Sequence, residues 1–259
     1  MTKITILADN RVHDWEPKGL RAEWGFSVAV GNLLFDTGGT GVAAANARLL
    51  GAGPFETLVL SHGHYDHTKG LPAFLDELEE IYVHPDAFEE KYLDGEPIGM
   101  PYDRAWVEAQ ANVRTHSDPV KVAQGIHALG EIPREYPDNR TGEHLVEGNH
   151  VEDPVWDDQA LAVETDMGLG LVLGCGHAGL RNSVTYAEEV LGEPVHTVIG
   201  GTHLRSPDAE TLATIVGWLG DRIERIAPTH CTAPEAELAL KDAFGEDYIR
   251  VGVGATIDL

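Results

Sequence analysis

The sequence predicts an α/β protein with two mixed β-sheets at its centre and helices on both outer faces. Short apolar strands alternate with segments of helical periodicity along most of the chain. A strand hairpin also stands early in each half, at 27–35 and at 159–173. A strand or helix with one apolar side must bury that side against another layer, so we expect the helices to lie outside a two-sheet core.

In the first half, residues 1–8 alternate like a strand, and 27–35 form a hairpin around a Gly-Asn turn. An Ala-rich helix follows and ends near Leu50, because the next residue is Gly51. The remaining predictions for this half are a short buried strand at 57–60, a strand at 81–83 and helices at 71–78 and 85–92.

In the second half, the hairpin strands are predicted at 159–164 and 169–173. Further strands are expected at 195–199 and 223–227, and helices at 180–191, at 208–219 and from Pro234 onward. Between the halves, residues 94–158 are rich in proline and poor in periodic apolar positions. We therefore expect one domain over 1–259, with 94–158 as an insertion or lid packed near the active site.

The composition is strongly acidic. The 259 residues include 43 Asp and Glu against 18 Lys and Arg, a formal net charge of −25, and 42% are hydrophobic. A nucleic-acid phosphate backbone is held by clustered basic residues, so nucleic acid is not an expected partner. The acidity is consistent with an ordinary soluble surface or with a halophilic source, where salt screens the self-repulsion of the charges.

The sequence also predicts a cellular location. No apolar run approaches the roughly 20 residues that span a bilayer, and the first eight residues are too short for the apolar part of a signal peptide. Two cysteines cannot form a disulfide framework. We therefore expect a cytoplasmic protein that does not enter a membrane; the sequence does not indicate an oligomeric state.

The strongest chemical motif directly follows the strand at 57–60. It comprises His62, His64, Asp66 and His67, three imidazoles and a carboxylate within six residues. Imidazole nitrogen and carboxylate oxygen are ligands that zinc, iron and manganese share. The motif predicts a metal site in which His62 and His64 aim at one position, and Asp66 and His67 reach a second.

Three later histidines also follow apolar strands. They are His177, His203 and His230, and strand ends are where open sheets present functional loops. Cys175 and Cys231 lie beside two of them. A thiolate can bind a metal, but a buried cysteine is more often a small apolar residue, so the residues alone leave the role of both thiols open.

Two other motifs fit less well. Asp36-Thr37-Gly38 has the residues of an aspartic protease, but that mechanism needs a second carboxylate and the chain has no second copy of the motif. A role beside a metal-bound imidazole suits Asp36 better. The glycines of 174–179 resemble a dinucleotide fingerprint, yet the next strand ends in Gly200-Gly201 where an acidic residue is expected.

Together, the motif at 62–67, the upstream Asp36 and the single histidines after later strands resemble the metallo-β-lactamase superfamily, whose fold is an αββα sandwich. The resemblance covers essentially the whole chain. More narrowly, the segments 9–11, 23–27, 61–67, 174–179, 200–204 and 228–232 resemble the branch named for 7,8-dihydropterin-6-yl-methyl-4-(β-D-ribofuranosyl)aminobenzene 5′-phosphate synthase.

The resemblance implies two divalent metal positions. His62, His64 and His177 would hold the first, and Asp66, His67 and His230 the second. The superfamily usually bridges its metals with an aspartate on a strand-end loop between the last two histidine motifs, and this sequence has no clear equivalent. Cys175, His203 or a bridging water are the replacements that remain open. Zinc is the expected metal, as one or two ions, with manganese, iron or magnesium as alternatives.

Three functional hypotheses follow. In the first, the protein is a hydrolase in which a metal-bound hydroxide attacks a small phosphorylated or ester substrate, with Asp66 and His203 as catalytic residues. In the second, it is a transferase that joins a dihydropterin diphosphate to a ribofuranosyl-aminobenzene phosphate, and the metals hold the leaving diphosphate. In the third, the metal site is only structural, although such sites are usually closed and rich in cysteine.

The substrate is expected to be a small molecule, and an anionic one. Asn10 and Arg11 are candidates for contacting it or for supporting the metal ligands, and Arg104 and Arg134 in the lid are further candidates for binding phosphate.

Overall fold

The computed structural model describes residues 2–138, 142–146, 149–205 and 207–259. Its strands are β1 Lys3–Ala8, β2 Ser27–Val30, β3 Leu33–Phe35, β4 Thr57–Val59, β5 Glu80–Val83, β6 Lys91–Leu93, β7 Glu96–Pro97, β8 Asn112–Thr115, β9 Val120–Ala123, β10 Ile126–Ala128, β11 Gly142–Val146, β12 Asn149–Asp153, β13 Ala160–Thr165, β14 Gly168–Leu173, β15 Val195–Gly201, β16 Arg225–Thr229 and β17 Thr256–Asp258. Its α-helices are α1 Val42–Leu50, α2 Tyr65–Thr68, α3 Arg104–Glu108, α4 Leu180–Leu191, α5 Ala209–Gly220 and α6 Pro234–Phe244.

Two mixed sheets form the centre of the molecule. The first has the order β17-β1-β2-β3-β4-β5-β8, and the second has the order β16-β15-β14-β13-β10-β9. The β2–β3 and β13–β14 pairs are antiparallel hairpins, whereas β3–β4 and β14–β15–β16 are parallel. Both hairpins were predicted from the sequence. Parallel neighbours need long crossovers, and these crossovers supply the helices.

Side chains of the two sheets meet in a shared core. Ile6 and Val28 of the first sheet pack in one apolar cluster with Leu161 and Val172 of the second. Residues that alternate with them, such as Leu171, face the other way and pack with α4, α5 and α6. Helix α1 packs on the outer face of the first sheet. The layer order is therefore helix, sheet, sheet, helix, as the sequence predicts.

Two predicted helices are wrong in part. The helix expected at 71–78 is a single 3₁₀ turn, Leu71–Ala73, and the one expected at 85–92 is a 3₁₀ turn, Pro85–Phe88, followed by strand β6. The second difference has a clear cause, because Lys91 is buried in ion pairs with Asp153 and Asp157. Those pairs and the ladder with β11 draw the chain into an extended conformation.

The segment 94–158 contributes to several parts of the fold. Strand β8 lies at the edge of the first sheet, and β9 and β10 lie in the second. The remaining strands, β7, β11 and β12, form with β6 a separate four-stranded sheet. This small sheet stands outside the two central sheets. None of the helices among the described residues is long and apolar enough to cross a membrane.

Candidate metal centre

The predicted metal-ligating residues come together at one end of the two sheets. The loop after β4 places His62, His64, Asp66 and His67, with the last two on the short helix α2. His177, His203 and His230 follow β14, β15 and β16, which run parallel. The carboxyl ends of parallel strands lie at one edge, so residues far apart in sequence meet there.

The first group consists of His62, His64 and His177. Their candidate ligand atoms all lie within 4.8 Å of one another, and all three residues are buried. Nε2 of His62 is 2.9 Å from Nδ1 of His64, and the ring centroids of His62 and His177 are 4.9 Å apart. Among the described residues, neither ring nitrogen of His177 has a hydrogen-bond partner. A buried imidazole without a partner is costly unless a ligand binds it.

The second group consists of Asp66, His67 and His230. Their candidate ligand atoms also lie within 4.8 Å of one another. Oδ2 of Asp66 is 3.4 Å from Nε2 of His230, and Oδ1 is 3.9 Å from Nε2 of His67. Both groups therefore fit a divalent metal ion by donor chemistry, burial and convergence, and the membership of each is the one expected from the sequence.

The electrostatics of the first group suit metal binding. Burial lowers the pKa of His64 to about 4 and lowers the pKa of His62 and His177 well below their usual value. Neighbouring imidazoles lower the pKa of His62 and His177 further. These rings are therefore neutral at physiological pH, and the neutral imidazole is the form that binds a metal.

The second group is surrounded by carboxylates. Burial acts to lower the pKa of His67, but Asp36 and Asp66 outweigh it and raise the value. Burial acts to raise the pKa of the Asp66 carboxyl, but His67 and His230 outweigh it and hold the value well below its usual range. Asp66 is therefore ionised and can act as an anionic ligand.

Asp36 lies behind His67, as expected for a residue that supports a metal ligand. Its Oδ2 is 2.6 Å from Nδ1 of His67 and accepts a hydrogen bond from the Ser61 hydroxyl at 2.7 Å. Its Oδ1 accepts the Ser61 backbone N–H at 2.7 Å. A carboxylate on Nδ1 leaves Nε2 of His67 free to face the centre and fixes the orientation of the ring.

His230 is positioned by the loop that follows β1. Oδ1 of Asp9 accepts the His230 backbone N–H at 3.0 Å, and Asn10 donates its side-chain N–H to the His230 carbonyl at 2.7 Å. Oδ1 of Asn10 is also 3.3 Å from Nδ1 of His230. Asn10 therefore supports a candidate ligand, which is one of the two roles expected for it.

Backbone strain is concentrated at the centre. Of the five non-glycine residues in the described chain with positive φ, three are Asp36 at 59°, His203 at 50° and His230 at 52°. Residues other than glycine rarely adopt this backbone conformation. Where they do, the surrounding structure imposes it, often at functional sites.

The loop between His62 and His64 is held by a buried ion pair. The Gly63 backbone N–H donates to Oδ2 of Asp157 at 2.7 Å, and Oδ1 of Asp157 accepts from Lys91 Nζ at 2.8 Å. A Cβ on Gly63 would lie 2.2 Å from the Ala87 carbonyl oxygen, so only glycine fits there. This pair therefore supports the first group from behind.

Asp158 lies close to His62. Its Oδ1 is 4.0 Å from Nδ1 of His62, and its Oδ2 accepts the Ala178 N–H at 2.8 Å. Burial raises the pKa of Asp158 to about 6. Asp9, Asp157 and Asp158 had no predicted role, although the two adjacent carboxylates just before β13 were a signal for the latter two.

A pocket of about 200 Å³ opens over the centre. It is lined by candidate ligands together with Trp24, Tyr65, His203 and Arg205. Trp24 is 46% exposed and Tyr65 is 37% exposed, and the Arg205 guanidinium lies 5.4 Å from the centroid of the Trp24 ring system. Trp24, Tyr65 and Arg205 were not predicted as site residues, because nothing in their spacing indicates that they meet.

The predicted phosphate-binding arginines lie elsewhere. Arg11 is outside the pocket, where it donates to the Val251 carbonyl and to Glu237. It therefore ties the loop after β1 to Val251 and to α6, and it does not line the pocket. Arg104 pairs with Glu108 on α3, and Arg134 donates to the Val155 carbonyl. The Arg104–Glu108 pair has the i,i+4 spacing of a helical ion pair, whereas the spacing of Arg134 carries no information on Val155.

His203 and Cys175 both line the pocket. The ring centroid of His203 is 4.3 Å from that of His177, and its backbone N–H donates to the Cys231 sulfur at 3.3 Å. Cys175 Sγ is 3.2 Å from Nε2 of His67. Both cysteines are free thiols and are buried.

The metallo-beta-lactamase superfamily profile matches residues 27–189. The chain therefore belongs to this superfamily, whose members include metal-dependent hydrolases, and the fold and the histidine motif agree with that assignment.

Several individual proteins are similar over most of the chain. The crystal structure of Tm1679, described as a metal-dependent hydrolase of the β-lactamase superfamily, has a TM-score of 0.89 at 28% identity and covers 100% of this chain and 99% of that one. The uncharacterized protein MJ0448 of Methanocaldococcus jannaschii is 31% identical over 96% of this chain and 98% of its own length.

A second protein of Methanocaldococcus jannaschii is also 31% identical, over 87% of this chain and 83% of its own length. It is named 7,8-dihydropterin-6-methyl-4-(beta-D-ribofuranosyl)-aminobenzene-5'-phosphate synthase.

Proposed function

We propose that this protein is a dinuclear metal-dependent hydrolase that acts on a small anionic substrate, a phosphoester or an ester. The observation that supports this most directly is the pair of adjacent three-residue donor groups, both buried and both at the base of one pocket. His62, His64 and His177 would hold one ion, and Asp66, His67 and His230 the other. When bound, such ions make water more acidic and offset negative charge that develops on the substrate.

The protein's own groups divide the remaining work. The pKa of Asp66 is held low. A general base works best with a pKa near the working pH, so Asp66 is better suited to be a metal ligand that orients the centre. His203 lines the pocket beside His177, and in this proposal it would give a proton to a leaving group. Asp66 and His203 are the two residues that were predicted to be catalytic, and in this proposal Asp66 has the orienting role.

The pocket surface supports an anionic substrate. Arg205 offers a guanidinium, which binds phosphate or carboxylate through paired N–H groups. Trp24 and Tyr65 present aromatic rings on which a flat organic group can stack. We therefore expect the substrate to combine a negatively charged group with an apolar or aromatic portion.

The alternative is the transferase reaction named for the second relative of Methanocaldococcus jannaschii. A dihydropterin diphosphate would stack on Trp24, and its diphosphate would be the leaving group near the metal positions. The 31% identity over 83% of that relative is the observation that favours the transferase hypothesis. Substrate identity separates the two proposals, because the donor groups serve either.

The first experiment measures metal content and activity together. Purified protein is analysed for bound metals, and His62→Ala is compared with His150→Ala, which alters an exposed histidine away from the pocket. We expect one to two ions per chain in the wild type and in His150→Ala, and a loss of metal and of activity in His62→Ala. Less than about one ion per chain in the wild type would refute the proposal.

The second experiment identifies the reaction. The metal-loaded protein is incubated with a panel of phosphodiesters and lactones, and separately with a dihydropterin diphosphate and a ribofuranosyl-aminobenzene phosphate. Hydrolysis of a panel member that depends on His62 supports the hydrolase. Formation of the coupled pterin product without hydrolysis of the panel supports the transferase.

A further inference from the structure

Cys175 Sγ occupies a position between the two donor groups. It lies within 4.8 Å of ligand atoms of His62, which belongs to the first group, and of His67 and His230, which belong to the second. The residue is buried, 4% exposed, at the base of the pocket. A ligand shared by two ions has to lie close to the other ligands of both groups, and the Cys175 sulfur meets this condition.

The distance from Cys175 to His67 fits metal binding. With Zn–S of roughly 2.3 Å, Zn–N of roughly 2.0 Å and tetrahedral angles, a sulfur and a nitrogen on one ion lie roughly 3.5 Å apart. Cys175 Sγ and His67 Nε2 are 3.2 Å apart, with Nδ1 of His67 already occupied by Asp36. Only a small separation of the two atoms is needed to admit the ion.

Gly201, in the strand-end region between the last two histidine motifs, has no room for a side chain. A Cβ on Gly201, at the end of β15, would lie 2.3 Å from the Gly174 carbonyl oxygen and 2.8 Å from the Cys231 sulfur. The two cysteines and the Gly174 backbone thus fill the space that a carboxylate side chain at this position would need. A bridging carboxylate at position 201 is therefore excluded.

Cys231, the other thiol, also lies within 4.8 Å of His230 of the second group, but among the described residues it forms no such cluster with a ligand of the first group. Its S–H donates to the Cys175 carbonyl at 3.3 Å, and its sulfur accepts the His203 N–H at 3.3 Å. Both contacts tie the strand-end loops together through the backbone. Cys231 therefore has a sufficient structural role without a metal, and it makes a matched control for Cys175.

We propose that Cys175 is a metal ligand that bridges the two ions as a thiolate and replaces the missing carboxylate. As the sulfur binds, the S–H bond breaks and its proton passes to solvent, while the sulfur lone pairs form the bonds to metal. Thiolate is a soft ligand, so a centre of this kind favours zinc over magnesium. The inference rests on the metal binding in the proposed function, and it is independent of the substrate.

The test uses the absorption spectrum of the cobalt(II)-loaded full-length protein. A thiolate bound to cobalt gives an intense sulfur-to-metal charge-transfer band in the near ultraviolet, which imidazole and carboxylate ligands do not give. We expect this band in the wild type and in Cys231→Ser, and its loss in Cys175→Ser. We also expect Cys175→Ser to bind its second ion at least about tenfold more weakly, since even partners of metal ligands affect affinity by that factor.

Thermal unfolding of both variants checks that they fold. If Cys175→Ser does not fold, the wild-type spectrum still tests the inference. Cobalt binding to the wild type without a charge-transfer band would overturn the bridging thiolate and leave the metal centre intact. A band that persists in Cys175→Ser and disappears in Cys231→Ser would assign the ligand to the other thiol and overturn it as well. Failure of the wild type to bind cobalt, zinc or any other divalent ion would overturn both this inference and the proposed function.

Discussion

The two donor groups are equally buried but differ in charge. The first consists of three imidazoles, His62, His64 and His177, whose pKa values are lowered by burial. The second includes the ionised carboxylate of Asp66, and Asp36 stands directly behind His67. The difference shows that one centre combines two means of holding a cation: neutral donors kept free of protons, and a negative charge supplied by the protein itself.

The two groups also differ in what holds them in place. The first depends on the Lys91–Asp157 pair, which anchors the backbone between His62 and His64. The second depends on carboxylates that touch the ligands or their backbone directly, Asp36 at His67 and Asp9 at His230. Substitutions at these supports should therefore separate the two groups.

The largest effect is expected on removing the buried cation behind the first group. Lys91→Met leaves the Asp153 and Asp157 carboxylates buried without their partner, so the free energy of unfolding should fall by about 3–5 kcal/mol. Denaturant unfolding measures this. Arg114→Met, which breaks the exposed pair with Glu80, is the control and should cost no more than about 1 kcal/mol. Equal effects of the two substitutions would refute the structural role assigned to Lys91.

Metal removal should have the next largest effect. Ions present at 100 to 1,000 times their Kd stabilise the native state by about 3–4 kcal/mol, so a chelator should lower the melting temperature by roughly 6–16 °C. Differential scanning calorimetry before and after chelation checks this, with Lys91→Met run beside the wild type. A melting temperature that does not respond to chelation and to added zinc would contradict a metal centre at this site.

A smaller effect separates the supports of the two groups. Asp36→Asn weakens the contact at 2.6 Å that orients His67, so metal affinity or activity should drop about 10- to 100-fold. Asp158→Asn changes a buried carboxylate that lies 4.0 Å from His62, beyond hydrogen-bond distance, so its effect should be smaller than that of Asp36→Asn. Titration of both variants with zinc provides the comparison. A larger loss in Asp158→Asn than in Asp36→Asn would contradict the role assigned to Asp36 in orienting His67.

The smallest effect concerns the substrate. Arg205→Ala should raise KM for a phosphorylated substrate a few-fold with kcat little changed, because the guanidinium would bind a charged group of the substrate other than the one that reacts. Activity on that substrate should also rise with ionic strength, since salt screens the repulsion between an anion and a protein of net charge −25. Steady-state kinetics over a salt series measures both, and a steep fall of activity with salt would contradict the expectation.

The sequence was most informative where residues close together in the chain form the structure. The hairpin at 27–35 and the end of α1 at Gly51 depend on neighbouring residues, and the metal loop at 62–67 does so too. Prediction was wrong in part at 71–78 and 85–92, where apolar spacing suggested helices and the chain makes only single 3₁₀ turns. At the second of these, the distant partners of Lys91 determine the backbone, and no local pattern contains them.

The sequence by itself predicted the two-sheet core from strand periodicity, and its closely spaced histidines carried the resemblance to the superfamily, which in turn implied the members of both donor groups. Only the tertiary structure decided which residues surround that centre. The position of Cys175 between the groups, the Arg205–Trp24 wall of the pocket and the removal of Arg11 from it all depend on contacts between segments that are distant in the chain. Such contacts are set by how the sheets pack and where their strands end, which spacing along the sequence does not encode.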